Sequence, residues 1–241
     1  MKFFRRSELT TACQAQLAHY DETIAAAVGP GYPYPLRMRD WELCQVLTAL
    51  ADAGRDARIL DTGSFNTYLG VYLARQHPNV TVSDLLCCRR TKSLLRKIGL
   101  APRKPSEAFY FDWTRVVKKA GVALRSLDLT QLDCPDASFD RVIALSVIEH
   151  VPAVERTLAE MFRVVAPGGK LLITTDCSPE PVPYHNGVRY FSVAELEQLF
   201  TPYPVTSARN QPDFSRENWC YGLGQPIVTA FIEVTKPGQI T

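Results

Sequence analysis

The sequence predicts an α/β fold with a doubly wound, mostly parallel sheet covered by helices on both faces. From residue 58 onward, short apolar runs that suit β-strands alternate with longer segments of helical periodicity. Such alternation is typical of parallel strands joined by crossover helices. The chain has 241 residues, of which 46% are hydrophobic and 22% charged, enough for one substantial core. We therefore expect one compact domain at 58–241, preceded by an N-terminal helical cap or lid at 1–57.

The individual elements follow from local patterns. Apolar residues at helical spacing predict a helix from Pro152 to Val165, ended by the PGG at 167–169. Ser192 and Glu195 form a capping-box pattern that starts a helix at 193–200. Short apolar runs bounded by turn residues predict the strands, which are 58–62, 80–83, 122–127, 141–146, 170–175 and 227–235.

Composition indicates which cellular compartment and which classes of partner to expect. The formal net charge of +2 is too small to demand a polyanionic partner, so nucleic acid is not expected. Seven cysteines without CxxC spacing argue against a secreted disulfide framework and favour a reducing, cytoplasmic environment. The N-terminal segment lacks the apolar run of a signal peptide, and no apolar stretch approaches membrane-spanning length. No group of side chains has the spacing of metal ligands, so no metal is expected.

Candidate ligand-binding residues stand where the predicted strands end. Asp61 and Gly63 follow the first strand, and Asp84 ends the second one, 23 residues after Asp61. Open α/β sheets bind ligands at the carboxyl ends of their strands, and an acid at the second strand suits the hydroxyls of a ribose. Asp128 follows the third strand, where a carboxylate can accept from an adenine amino group. Taken alone, Asp61 and Gly63 also fit ordinary turn chemistry, and Asp84 also fits a helix cap.

The passage from 126 to 175 carries the most specific pattern. Asp128 is followed by PDASFD at 135–140, an apolar strand, the pair Glu149 and His150, and RVVAPGGKLLITT at 163–175. In order and spacing, residues 57–176 resemble the class I S-adenosylmethionine-dependent methyltransferases. The resemblance implies a seven-stranded Rossmann-like sheet with an antiparallel last strand, which 227–235 would supply. It also implies S-adenosylmethionine as cofactor, with S-adenosylhomocysteine as product.

The resemblance assigns a set of residues to the cofactor. Asp61, Gly63 and Ser64 would face its methionine part, Asp84 and Leu85 its ribose, Asp128 and Leu129 its adenine, and Phe65 and Ser146 would complete the set. One departure concerns the first loop, which the family usually writes GxGxG. Here Phe65 takes a glycine position, so its ring must point away, stack on the cofactor or block it.

Methyl transfer depends on alignment of acceptor, methyl group and sulfur more than on a strong acid or base. A hydroxyl acceptor benefits from a general base, and histidine suits that role near neutral pH. His185, in the loop after the fifth strand, is the preferred candidate for the base. His150, at the end of the fourth strand, is a candidate substrate contact, whereas His19 and His77 are expected to be structural.

The segment 89–119 is strongly basic, with ten arginines and lysines against Glu107 and Asp112. The favoured interpretation is an amphipathic helix with a solvated basic face. The alternative is a docking surface for an anionic small-molecule acceptor or for a membrane surface.

Three functions remain open. The first is methyl transfer to oxygen or nitrogen of a small molecule such as a sugar, a nucleotide-sugar or a natural-product intermediate. The second is a catalytically inactive protein of the same fold, serving as a partner subunit or binding another ligand, which Phe65 would favour. The third is a nicotinamide-dependent oxidoreductase, ranked last because the chain lacks both a GxGxxG turn and a Tyr-x-x-x-Lys pair.

Overall fold

The centre of the protein is a seven-stranded sheet. The computed structural model describes residues 1–29, 39–65, 67–85, 113–185, 187–220 and 225–238. In chain order the strands of this sheet are β1 Lys2–Phe3, β2 Ile59–Thr62, β3 Val80–Ser83, β4 Ala123–Arg125, β5 Phe139–Leu145, β6 Val165–Cys177 and, at the end, β9 Val228–Thr235. Between β6 and β9, a separate hairpin is formed by β7 Val182–His185 and β8 Val188–Tyr190.

The sheet order is β1-β9-β6-β5-β2-β3-β4. The five strands from β6 to β4 run parallel, and β9 is antiparallel to β6. The predicted doubly wound, mostly parallel sheet with an antiparallel last strand is therefore confirmed. The edge strand β1 was not predicted, because two residues are too few to show an alternating pattern.

The described helices are α1 Thr11–Val28, α2 Asp40–Ala49, α3 Leu69–Leu73, α4 at 113–119, α5 Val154–Val164 and α6 Val193–Phe200. The capping box predicted at the start of α6 is present in both directions between Ser192 and Glu195. The predicted role of the PGG at 167–169 is wrong, since α5 ends at Val164 and the tripeptide lies inside β6. Gly169 is required there because a Cβ would meet the Asp140 carbonyl oxygen at 2.8 Å.

The N-terminal segment forms part of the main core. Tyr20 of α1 and Trp41 and Val46 of α2 are buried in the same apolar cluster as Ile59 of β2. This cluster covers one face of the sheet, while α5 and α6 pack in a second cluster on the other face. The segment predicted as a cap at 1–57 therefore supplies one strand of the sheet and two of its covering helices.

A disulfide between Cys13 and Cys44 joins α1 to α2, with a Cα–Cα distance of 5.7 Å. The odd cysteine count did not predict this pair, because pairing depends on the two helices being neighbours in space. Cys134, Cys177 and Cys220 are buried free thiols. The vicinal pair Cys87 and Cys88 lies outside the described residues.

Most of the basic segment, residues 89–112, also lies outside the described residues. The described remainder is α4, in which Trp113 and Val116 are buried whereas Arg115 and Lys118 are exposed. That arrangement fits an amphipathic helix with a solvated basic face. Within the described ranges, no helix combines the length and apolar character needed to cross a membrane.

Candidate active site

A cavity of about 490 Å³ opens at the carboxyl ends of β2, β3 and β5. Its volume falls in the usual range for small-ligand sites, and its position is where open α/β sheets bind ligands. The walls come from four chain segments and the start of α2. They are formed by Arg39, Gly63, Phe65, Thr67, Asp84, Leu85, Leu127, Asp128, Leu129, Thr130, Leu145, Ser146, Val147, His150, Val151 and Pro152.

The structure brings together most of the residues predicted from the sequence. Those on the cavity wall are Gly63, Phe65, Asp84, Leu85, Asp128, Leu129, Ser146 and His150. Asp61 and Ser64 are not on the wall, because their side chains are buried in the strand end and the turn beneath it. His185 belongs to β7, and its side chain is outside the described part of the chain.

Gly63 makes the tight turn after β2 possible. Its φ of +57° is a conformation that L-residues rarely adopt. A Cβ at this position would also lie 2.7 Å from Cγ2 of Val147, on the facing loop. The next residue ties the turn to β3, because both the N–H and the hydroxyl of Ser64 donate to the Ser83 carbonyl, at 3.0 and 3.2 Å. The turn therefore keeps its backbone close to the cavity.

Phe65 leaves the cavity open. Its ring packs edge-on against Trp113, with centroids 6.0 Å apart and an interplanar angle of 89°. Trp113 is itself held by an indole N–H donated to the Thr67 carbonyl at 2.7 Å. The φ of Phe65 is not in the left-handed region, so this backbone does not require glycine. The phenylalanine forms a side wall, and the sequence-based concern that it would block the site is not supported by this geometry.

The acids at the first two strand ends differ in environment. Asp84 lies at the cavity wall and accepts the Phe65 N–H at 3.3 Å. Asp61 is buried, which raises its pKa to about 8; the backbone N–H of Gly70 acts in the opposite direction, and Asp84 adds to the increase. Asp84 can therefore contact a ligand directly, whereas Asp61 lies buried beneath the turn and is not part of the cavity wall.

Asp128 lies at the far end of the cavity. It accepts from the N–H and the hydroxyl of Thr130 at 2.9 and 2.7 Å, and these bonds hold the pKa of its carboxyl below the usual range. The residue is exposed, and the apolar side chains of Leu127 and Leu129 line the cavity beside it. Its position fits both a turn residue and a ligand contact.

A buried network at the opposite end was missed by the sequence analysis. Glu42 of α2 accepts the hydroxyl of Ser146 at 2.7 Å and also that of Thr174 of β6. Glu42 also bonds the Nη1 atom of Arg39 at 3.2 Å, and Arg39 is on the cavity wall. Ser146 has a φ of +49°, a strained conformation of the kind often found at functional sites. No motif could have revealed this network, because α2 is about a hundred residues from β5 in sequence.

His150 is oriented by the β7–β8 hairpin. The Nδ1 atom of His150 lies 2.8 Å from the carbonyl oxygen of Gly187. The hydroxyl of Tyr184 donates to the backbone carbonyl of His150 at 3.2 Å. A carbonyl can only accept, so a neutral imidazole carries its proton on Nδ1 and presents the lone pair on Nε2. Beneath it, burial raises the pKa of Glu149, with Arg39 and His150 acting against that shift.

Comparison with known proteins agrees with this arrangement. A family model described as a methyltransferase domain matches residues 105–173. A phosphatidylethanolamine N-methyltransferase from Cereibacter sphaeroides is 30% identical over 128 residues, which is 52% of this chain and 54% of that protein. Over this region the chain is similar to S-adenosylmethionine-dependent methyltransferases, which supports a class I methyltransferase domain. The matched region includes the wall residues from Asp128 to Pro152.

Further relatives share this domain over shorter stretches. A probable S-adenosylmethionine-dependent methyltransferase from Mycolicibacterium smegmatis is 38% identical over 86 residues, which is 32% of this chain and 33% of that protein. The chain thus spans about half or less of the curated relatives it matches.

Solved structures show the fold of the methyltransferase domain at low sequence identity. The [4+2]-cyclase SpnF has a TM-score of 0.58 at 15% identity, covering 95% of this chain and 98% of that one. A Burkholderia thailandensis 1,6-didemethyltoxoflavin-N1-methyltransferase, solved with S-adenosylhomocysteine, has a TM-score of 0.54 at 18% identity, covering 98% and 92%.

Proposed function

We propose that this protein transfers the methyl group of S-adenosylmethionine to nitrogen or oxygen of a small molecule. The observation that carries the proposal is one cavity in which the turn at Gly63 and the carboxylates of Asp84 and Asp128 lie on the same wall. Each stands at the end of a neighbouring strand, in the order that the resemblance implies.

The residues present fit this cofactor. Carboxylates accept hydrogen bonds from hydroxyl and amino groups, so Asp84 suits a ribose and Asp128 an adenine amino group. Leu85, Leu127 and Leu129 offer apolar surface for a purine ring. Gly63 has no side chain, and Val147 leaves no room for one, so the backbone of the turn is the contact surface that Gly63 offers to the cavity. When bound, S-adenosylmethionine supplies an activated methyl group on a sulfonium, and the protein residues orient both reactants.

His150 is the residue we assign to the acceptor. It lines the cavity, whereas His185, the candidate preferred from the sequence, has its side chain outside the described residues. With the proton held on Nδ1 by the Gly187 carbonyl, Nε2 is in the form that accepts a proton from a hydroxyl or ammonium acceptor. His150 therefore acts as general base, and the hairpin is its positioning element.

Calorimetric titration with S-adenosylmethionine and S-adenosylhomocysteine tests the proposal. The wild-type protein should bind both, and Asp84→Ala should weaken binding by about tenfold or more because a charge-assisted contact is lost. Asp133→Ala is the matched control, since its carboxylate is exposed and away from the cavity. Failure of the wild-type protein to bind either ligand would contradict the proposal.

A second candidate is a reaction other than methyl transfer in the same cavity. It is favoured by the likeness to SpnF, which is described as a [4+2]-cyclase although its fold is the one seen here. The two candidates differ in turnover: methyl transfer converts S-adenosylmethionine to S-adenosylhomocysteine when the acceptor is present. Tight cofactor binding without any such conversion across a broad acceptor screen would favour the second candidate.

A further inference from the structure

Arg39 is the feature of the cavity that the proposed function has not used. Among the described wall residues it is the only arginine or lysine, whereas Asp84 and Asp128 are both carboxylates. Its side chain is 21% exposed, so it is partly removed from solvent. A cation in such a place interacts more strongly with an anion than it would at an open surface.

The buried network fixes where this cation lies. Arg39 and Ser146 both bond the same carboxylate, that of Glu42, so the guanidinium is held near the end of β5. Asp84 follows β3, and in the sheet β2 lies between β3 and β5. Two strand spacings, roughly 10 Å, therefore separate the cationic end of the cavity from the acidic end.

The cationic and acidic ends of the cavity are complementary to the two ends of the proposed cofactor. A ligand that places hydroxyl and amino groups at Asp84 and Asp128 turns its opposite end toward Arg39. In S-adenosylmethionine that opposite end bears an α-carboxylate, which a guanidinium binds well through parallel N–H donors. A carboxylate near Asp84 would instead be repelled.

We propose that Arg39 binds the α-carboxylate of the methionine part of the cofactor and that Glu42 is its positioning residue. The inference rests on the proposed function and names a binding residue that lies outside the matched region 105–173. Glu42 is 1% exposed and also accepts from Ser146 and Thr174, so it is well placed to hold the guanidinium against the wall. The N-terminal segment thereby supplies the anion-binding end of the site.

Two ligands that differ only at this end provide the test. S-adenosylhomocysteine carries the amino-acid part, whereas 5′-methylthioadenosine lacks it and keeps the adenosine. By calorimetry, Arg39→Met should weaken S-adenosylhomocysteine about ten- to a hundredfold and change 5′-methylthioadenosine by no more than about twofold. Arg55→Met, which removes an exposed arginine away from the cavity, should change neither.

Glu42→Gln provides the positioning test, and it should reduce the preference for S-adenosylhomocysteine over 5′-methylthioadenosine. Arg39→Lys keeps the charge and should recover part of that preference, which separates binding from a folding defect. Equal losses for both ligands, or unchanged affinity for S-adenosylhomocysteine, would overturn the assignment; the latter is also the result expected if Arg39 served an anionic acceptor. If the wild-type protein binds neither ligand, it is the proposed function that fails.

Discussion

At the scale of single residues, Asp61 is a carboxylic acid in an unusual environment near the end of β2. Its side chain is 1% exposed, and burial raises the pKa of its carboxyl to about 8. In the unfolded chain the same group has its ordinary pKa of 3.8. The folded protein therefore retains a proton that the unfolded chain releases between those two values.

This difference predicts a pH-dependent stability. Because the folded-state pKa is raised, its favourable effect is complete below about pH 4 and is lost as the pH rises toward 8. The contribution of this one group changes by at most about 1.4 kcal/mol per pH unit. Asp61→Asn, which is neutral at every pH, should gain thermal stability relative to wild type as the pH rises from 5 to 8. Parallel melting curves of both proteins across that range would speak against a protonated Asp61.

Residue-scale chemistry also explains which site residues could be predicted. Asp84, Asp128 and Gly63 follow strands directly, so strand periodicity locates them without any tertiary information. Arg39 reaches the cavity wall, and Glu42 lies buried behind it, because α2 packs against β5 and β6; that contact leaves no local trace in the sequence. The pattern also did not show that the loop after β6 forms a hairpin bonded to His150, and His185 stays a prediction because its side chain is outside the described residues.

At the scale of elements, the contact between α1 and α2 is reinforced by the disulfide between Cys13 and Cys44, which are 31 positions apart. A cross-link of that span lowers the conformational entropy of the unfolded chain, which stabilises the folded state by up to about 4 kcal/mol. Because α2 begins next to Arg39, the same cross-link anchors the helix that carries Glu42.

We expect the double variant Cys13→Ser, Cys44→Ser to melt several degrees below the oxidised wild type. Adding dithiothreitol to the wild type should lower its Tm toward that of the variant, while the variant itself should not respond. A double variant that melts at the same temperature as the oxidised wild type would show that the pair does not stabilise the protein. Differential scanning fluorimetry, with and without the reductant, measures both shifts.

For the whole molecule, the alternating strand and helix pattern was sufficient to predict the fold class, because the central parallel strands β2, β5 and β6 consist mostly of buried apolar residues. The ends of the chain were harder. The sequence predicts a helical cap or lid at 1–57; in the structure, Trp41 and Val46 of this segment belong to the main core and Lys2–Phe3 form an edge strand of the sheet. Such long-range contacts are set by the tertiary structure and by the docking of α1 and α2 on the sheet.

The integration of the N-terminal segment predicts cooperative unfolding. Asn210 bonds the backbone of Phe3 on both sides, accepting its N–H at 2.6 Å and donating to its carbonyl at 2.8 Å. Asn210→Ala should lower the free energy of unfolding by about 1–3 kcal/mol because two backbone groups lose their partner. Calorimetry should still show one transition, shifted to lower temperature. A separate early transition of the N-terminal segment would indicate an independent cap.

The pairing of β1 with β9 also has a consequence for biosynthesis. Phe3 lies opposite Ala230, so the backbone groups of β1 that face β9 can be paired only after β9 has been synthesised. Closing a loop of more than two hundred residues is slow and follows local structure formation. Until then, β6 lacks its antiparallel neighbour and presents an open edge of the kind that promotes aggregation. We therefore expect the nascent chain to be most prone to aggregation in the interval between synthesis of β6 and synthesis of β9.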